Sequence, residues 1–257
     1  MAEHGLKGKH VVIAGGGKNL GALVGLQLVE AGAAGIAVHY NSDSSKESAQ
    51  GAVAALKNKG ADAFAFQGDL SVVANNVKLF DEAKKRFGKI DIAINTAGVV
   101  IKKPILEVTE ADYEKSFLAN SKAAFFFIQQ AGRTLADRGS IVTVVTSLLA
   151  AYTDSYAIYP GSKAPVEHFT RAASKEFGAR GISVNAIGPG PMNTPFFYGQ
   201  ETKDSTAYNK AAAALGKYSK TGLTDIDDIA PLVRFLVGEG WWITGQTIFA
   251  NGGYTTR

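Results

Sequence analysis

The chain has 257 residues, 46% of them hydrophobic, with 27 basic against 23 acidic side chains. That size and apolar content suit one large α/β domain, 1–257, and exclude a disordered chain; the four excess positive charges are scattered and read as solvated surface, not as a nucleic-acid interface. There is no cysteine, which excludes disulfides, thiolate zinc sites and a cysteine nucleophile, and the four histidines, His4, His10, His39 and His168, lack metal-ligand spacing, so no metal is expected.

The first predicted element is a short buried strand, 11–14. A glycine run follows it at once: Gly15-Gly16-Gly17-Lys18-Asn19-Leu20-Gly21. Apolar residues at Leu20, Leu23, Val24, Leu28 and Val29 then predict a helix over 20–31. A strand, a glycine turn and a helix N-terminus make a phosphate cradle, because free N–H groups and the positive end of the helix dipole face the anion. The run departs from GxxxGxG, since Asn19 stands where the middle glycine would be. Asn is the non-glycine residue that best tolerates positive φ, so the turn can still form.

Further strands are predicted at 36–40, 63–67, 90–95, 140–145, 182–187 and 247–250. Helices are predicted at 44–59, 75–87, 110–131, 155–177 and 227–237. Alternating strands and helices imply a Rossmann-type doubly wound parallel sheet of about seven strands, with helices on both faces and ligands beyond the carboxyl ends of the strands. Tyr159 and Lys163 lie four residues apart on the predicted helix 155–177, so they share a face. A nearby ammonium favours the phenolate and lowers the tyrosine pKa, which suits a proton donor or acceptor near neutral pH. By itself that spacing occurs by chance on many helices.

The order of motifs is far more specific than any one of them. The glycine turn is followed by Asp69-Leu70, Asn95-Thr96-Ala97-Gly98, Asn120, a serine after the fifth strand, and the Tyr159/Lys163 pair. Pro189-Gly190-Pro191-Met192-Asn193-Thr194 comes next, then Ile243-Thr244-Gly245-Gln246 and Asn251-Gly252-Gly253. Over essentially its whole length the chain resembles the short-chain dehydrogenase/reductase family. It departs from the family pattern at Asn19 and at Asn251, where Asp is more usual.

The resemblance implies hydride transfer from NADPH to a carbonyl, reversible as alcohol oxidation. It assigns Tyr159 as general acid, Lys163 as the residue that lowers the tyrosine pKa and holds the nicotinamide ribose, and Asn120 as support for a water-linked proton path. Gly15, Lys18, Asn19, Leu20 and Gly21 are assigned to the pyrophosphate turn, and Asp69 and Leu70 to the adenine. Asn95, Ala97 and Gly98 line the path beneath the cofactor, with Pro189, Gly190 and Thr194 at the carboxamide. The second strand ends in Tyr40-Asn41-Ser42 with no acid to repel a 2′-phosphate, and Lys18 is placed like the basic residue of NADP-specific relatives. Asp43 is awkwardly close, and the arginine often found after this strand is missing. NADP(H) is therefore expected over NAD(H).

Two adjacent hydroxyls compete for the substrate oxygen. The family's commonest interval before the tyrosine selects Thr146, whereas the local pattern Ser147-Leu148-Leu149-Ala150 and the usual residue type select Ser147. Ser147 is the choice made from sequence. The variable substrate loop spans 195–221; its opening Pro195-Phe196-Phe197-Tyr198 suggests an apolar wall, and Ala211 to Leu215 favour helix. Candidate substrates are ketones, 3-oxoacyl thioesters, quinone-like polycyclic ketones and sugars. The resemblance also implies a homotetramer built on the helices 110–131 and 155–177. No apolar run is long enough to span a bilayer and residues 1–9 lack a signal-peptide core, so a cytoplasmic protein with no membrane partner is expected. The alternative reading is a non-catalytic NADP-binding sensor or scaffold on the same fold.

Overall fold

A computed structural model describes residues 4–256. Seven parallel strands form one sheet: β1 (His10–Ala14), β2 (Gly35–Tyr40), β3 (Asp62–Gln67), β4 (Ile92–Asn95), β5 (Ser140–Val144), β6 (Ser183–Pro189) and β7 (Thr247–Ala250). Their spatial order is β3-β2-β1-β4-β5-β6-β7. All seven strands fall where the sequence places them, within two residues at either end.

Strand periodicity of two explains the layers. Val11 and Ile13 of β1 pack on one face with Leu20, Val24 and Leu28 of α1 (Asn19–Glu30), and with α2 (Lys46–Asn58). Val12 and Ala14 pack on the other face with Leu79 and Phe80 of α3 (Val73–Phe87). Buried on both faces, such strands read as near-continuous apolar runs. The strand order reverses at β1, which pairs with β2 on one side and β4 on the other. A crevice opens beyond the carboxyl ends at that point.

The predicted helix 110–131 is not continuous. It divides into α4 (Glu110–Phe117), a π-helical turn (Leu118–Lys122) and α5 (Ala123–Thr134). Asn120 sits in that turn, and its side-chain amide bonds the backbone of Val99 in both directions. Wide turns of this kind mark places where a helix gives up regularity to aim a side chain. α6 (Ile158–Glu176) begins later than expected, after Ser155 takes a φ of 65°. In the substrate loop the structure has α7 (Pro195–Tyr198) and α8 (Lys203–Ala212). α8 is set by a capping box between Thr202 and Ser205. The alanine run is its end, not its body, because Leu215 N–H turns to bond the Gly252 carbonyl at 2.8 Å. α9 (Ile226–Leu236) closes the first face against α1.

Candidate active site and cofactor cleft

A cavity of ≈ 770 Å³ runs along the carboxyl ends of the strands, from the glycine turn to the substrate loop. At its first end α1 starts with no side-chain cap and no acidic residue in its first turn. Its free N–H groups are therefore available to an anion. Gly15 takes φ +74° and Asn19 φ 48°, as expected of the residue that replaces glycine. A Cβ on Gly21 would stand 2.4 Å from the Gly15 carbonyl oxygen, so backbone packs there with no room for a side chain. Thr96 Oγ1 donates to the Ala14 carbonyl at 2.9 Å and ties the turn to β4.

Gly15, Lys18, Asn19, Leu20, Gly21, Tyr40, Asn41, Asp69, Leu70, Ala97, Gly98, Pro189, Gly190 and Thr194 all line the cavity, so the donor set fits a dinucleotide. Two assigned residues do not line it. The Ser42 hydroxyl pairs with that of Ser44 at 2.9 Å, and Ser45 takes the wall position instead. Asn95 is buried behind the wall, where its Oδ1 accepts from Ala97 N–H at 3.0 Å. The Asp69 carboxylate closes a local turn by accepting from Ser71 N–H. Asp43, awkward in the sequence, takes a hydrogen bond from Gln67 Nε2 at 3.1 Å, and its carboxylate is off the cavity wall.

The other end holds Tyr159, Lys163, Thr146 and Ser147, all on the cavity wall. The two adjacent hydroxyls make different contacts. Ser147 Oγ donates to the Gly188 carbonyl at 2.9 Å and accepts from Asn251 Nδ2 at 3.1 Å, so it is spent on bracing β5 to β6 and the C-terminal turn. The Thr146 hydroxyl instead faces the Tyr159 phenol on the cavity wall and acts to lower its pKa. Asn251 explains itself here, since an aspartate in its place could not donate to Ser147.

The electrostatics also differ from expectation. Burial pushes the Tyr159 phenol up to about 12, and the Thr146 hydroxyl only partly offsets this. Burial pulls the Lys163 ammonium down to about 8. Lys163 Nζ donates to the carbonyls of Val144 at 3.0 Å and Ala97 at 3.3 Å. Asn120 lies behind the wall: a Cβ on Gly98 would stand 2.8 Å from Asn120 Oδ1 and 2.9 Å from Lys163 Nζ. That close approach shows why the position is glycine. Asn120 Nδ2 also donates to Ser162 Oγ at 2.9 Å, tying α6 to the π-helical turn.

Sequence reasoning missed a cluster at the substrate loop. Glu201, its side chain 1% exposed, pairs with Lys102 Nζ at 2.7 Å and accepts from the Tyr156 hydroxyl. The Lys102 ammonium lies 5.1 Å over the Tyr156 ring. This carboxylate anchors the loop beside Tyr159, whose ring centroid is 6.2 Å from that of Tyr156. The sequence signal was faint: a single acid between a polar Gly-Gln and the Thr202 cap.

A nucleotide cradle at a strand-order switch, next to a buried Tyr/Lys pair, defines a dinucleotide-dependent oxidoreductase. A family model described as Enoyl-(Acyl carrier protein) reductase matches residues 16–255. The Hydroxynaphthalene reductase-like protein Arp2 of Metarhizium brunneum is 34% identical over 98% of this chain and 96% of its own. Among solved structures, a Burkholderia cenocepacia protein with bound NADP is 61% identical over 100% of this chain and 97% of its own, with a TM-score of 0.98. A blue fluorescent protein from a metagenomic library, in complex with NADPH, is 32% identical over 98% of this chain and 100% of its own, with a TM-score of 0.90. The chain belongs to the short-chain dehydrogenase/reductase family. Both of these structural neighbours hold NADP(H), consistent with cofactor use in the family. Among the described residues no helix is long and apolar enough to cross a membrane.

Proposed function

We propose that the protein is an NADPH-dependent reductase of neutral ring ketones, with Tyr159 as general acid. The observation that carries this reading is the Tyr159 phenol beside the Thr146 hydroxyl on the same cavity wall as Lys163. When bound, NADPH supplies the hydride. Tyr159 gives its phenolic proton to the carbonyl oxygen and becomes phenolate. Thr146 donates a hydrogen bond where negative charge develops on that oxygen. Lys163, charged below about pH 8, stabilises the phenolate, and Asn120 fixes the helix that carries both residues. Lys18 and Asn41 favour the 2′-phosphate, and Asp43, engaged by Gln67, does not oppose it.

The substrate end supports a ring ketone. Phe196 lies 6.4 Å from the Tyr159 ring, and Phe197, Leu148 and Met192 complete an apolar wall. The name of the Metarhizium relative points the same way. The protein works in the cytoplasm as a homotetramer in this reading. The test is NADPH consumption against ring ketones, linear ketones, a 3-oxoacyl thioester, an enoyl thioester and sugars. Turnover highest with ring ketones supports the reading; turnover confined to the enoyl thioester overturns it.

A further inference from the structure

The sequence assigns none of the four histidines a role, and one of them, His39, is buried, 3% exposed, near the end of β2. A polar side chain in so apolar a strand needs partners. It has two. Its Nδ1 accepts from Gly15 N–H at 3.2 Å, and its Nε2 lies 2.7 Å from the Gly68 carbonyl oxygen. A carbonyl can only accept, so the proton sits on Nε2 and the ring is the neutral tautomer. Burial keeps it neutral by pulling its pKa down to about 4.

These partners are not in one loop. Gly15 opens the glycine turn after β1, and Gly68 immediately precedes Asp69-Leu70 after β3. β1 and β3 flank β2 on opposite sides. The backbone of the same region adds to the tie: the His39 carbonyl accepts from Gly16 N–H at 3.1 Å and the Tyr40 carbonyl from Gly68 N–H at 3.1 Å. The backbone contacts do not depend on the side chain; an apolar side chain at 39 would lose both ring contacts. The imidazole is thus the side chain that joins the turn at the pyrophosphate to the loop at the adenine. Both loops line the cavity.

We propose that His39 is a positioning residue for the cofactor, a crosspiece that fixes the distance between the glycine turn and the Gly68-Asp69 loop and so sets affinity for the adenosine half of NADP(H). It touches neither the reacting atoms nor the substrate end. Preorganising two loops before binding spares the ligand the cost of ordering them.

The two nitrogens can be tested separately. In His39→Asn the amide oxygen stands near the place of Nδ1, so the bond to Gly15 can be kept. In His39→Gln the amide nitrogen stands near the place of Nε2, so the bond to Gly68 can be kept. His39→Leu keeps neither. Binding is read by titrating each protein with NADPH alone and with adenosine 2′,5′-bisphosphate, and turnover at saturating NADPH is read beside it. Loss of both bonds in the Leu variant is expected to weaken both ligands about tenfold, the effect of one to two neutral hydrogen bonds, with kcat and the carbonyl KM within about twofold. The Asn variant should bind more tightly than the Gln variant, because Gly15 belongs to the turn at the phosphates. Wild-type affinity for the bisphosphate in a folded Leu variant overturns the proposal. So does a fall in kcat equal to the loss of affinity. If the Leu variant does not fold, equal affinities of the Asn and Gln variants overturn it. The binding readout needs no carbonyl substrate, so it stands whether or not the ketone assignment does.

Discussion

Replacing Thr146 by Val removes one hydroxyl and keeps the β-branched shape, so the strand end should be undisturbed. Two contacts are lost: the one with Tyr159 and the acceptor for Leu148 N–H at 3.2 Å. The second is a neutral bond at a short turn and costs stability about 1 kcal/mol. The first places a hydroxyl donor beside the phenol, where an oxyanion would develop in the proposed reaction. Its loss should cut kcat by roughly 10²–10³-fold, or about 2.7–4 kcal/mol of barrier. Ser147→Ala has the opposite profile. It strands the Gly188 carbonyl and takes one acceptor from Asn251, which keeps Thr255 at 2.7 Å. Stability should fall by about 1–3 kcal/mol, a drop in Tm of roughly 2–4 °C per kcal/mol for a chain of this length. Its kcat should stay within about tenfold, under about 1.4 kcal/mol of barrier. Both variants are measured by NADPH oxidation at saturating ketone and by thermal melting. A Ser147→Ala enzyme slower than Thr146→Val would refute the reasoning and return the substrate hydroxyl to Ser147.

Lys18→Ala should narrow the ratio of kcat/KM for NADPH over NADH by about 1–3 kcal/mol, the worth of a charge-assisted bond to the 2′-phosphate; an unchanged ratio removes Lys18 from that contact. His39 has a folded pKa of about 4 against an ordinary 6.5, so between these values the unfolded chain binds more protons. Its contribution is therefore full above pH 6.5 and is lost as pH falls toward 4, by roughly 3 kcal/mol at 1.36 kcal/mol per unit. Denaturant melts of wild type and His39→Asn should show a steeper loss for wild type in that window, and equal slopes would contradict the burial argument. Light scattering should give the mass of four chains, with Phe125 (41% exposed), Ala164 and the partly buried Phe169 at a contact between copies; a monomeric mass at micromolar protein would dismiss the assembly.

Strand positions were legible in the sequence because a parallel sheet buried on both faces leaves short apolar runs bounded by glycines and polar residues. The glycine turn was legible even with Asn19, since only Gly and Asn enter positive φ cheaply. What could not be read was the direction of side chains at strand ends. Thr146 and Ser147 are neighbours and face different partners, and the deciding groups, Gly188 and Asn251, lie 41 and 104 residues away from Ser147. On the two helices expected at an interface, Ala123, Ala124, Phe127 and Ala173 fill the chain's own core, because helical periodicity alone does not say which face meets which partner. The π-helical turn at Asn120 and the Glu201 anchor share this cause: each depends on a contact made across the fold. The lysine–tyrosine pair shows the same limit in energy. Spacing brought them together, but burial, which spacing does not reveal, pushes the phenol up and the ammonium down.

The most direct test of the account is a comparison of wild type with Tyr159→Phe, which keeps the ring and removes the transferable proton. NADPH titration and NADPH oxidation with the best ring ketone are measured on both proteins. The account predicts unchanged NADPH affinity and turnover reduced by at least roughly 10²-fold, the scale of a lost general acid. Near-normal turnover in Tyr159→Phe would contradict it.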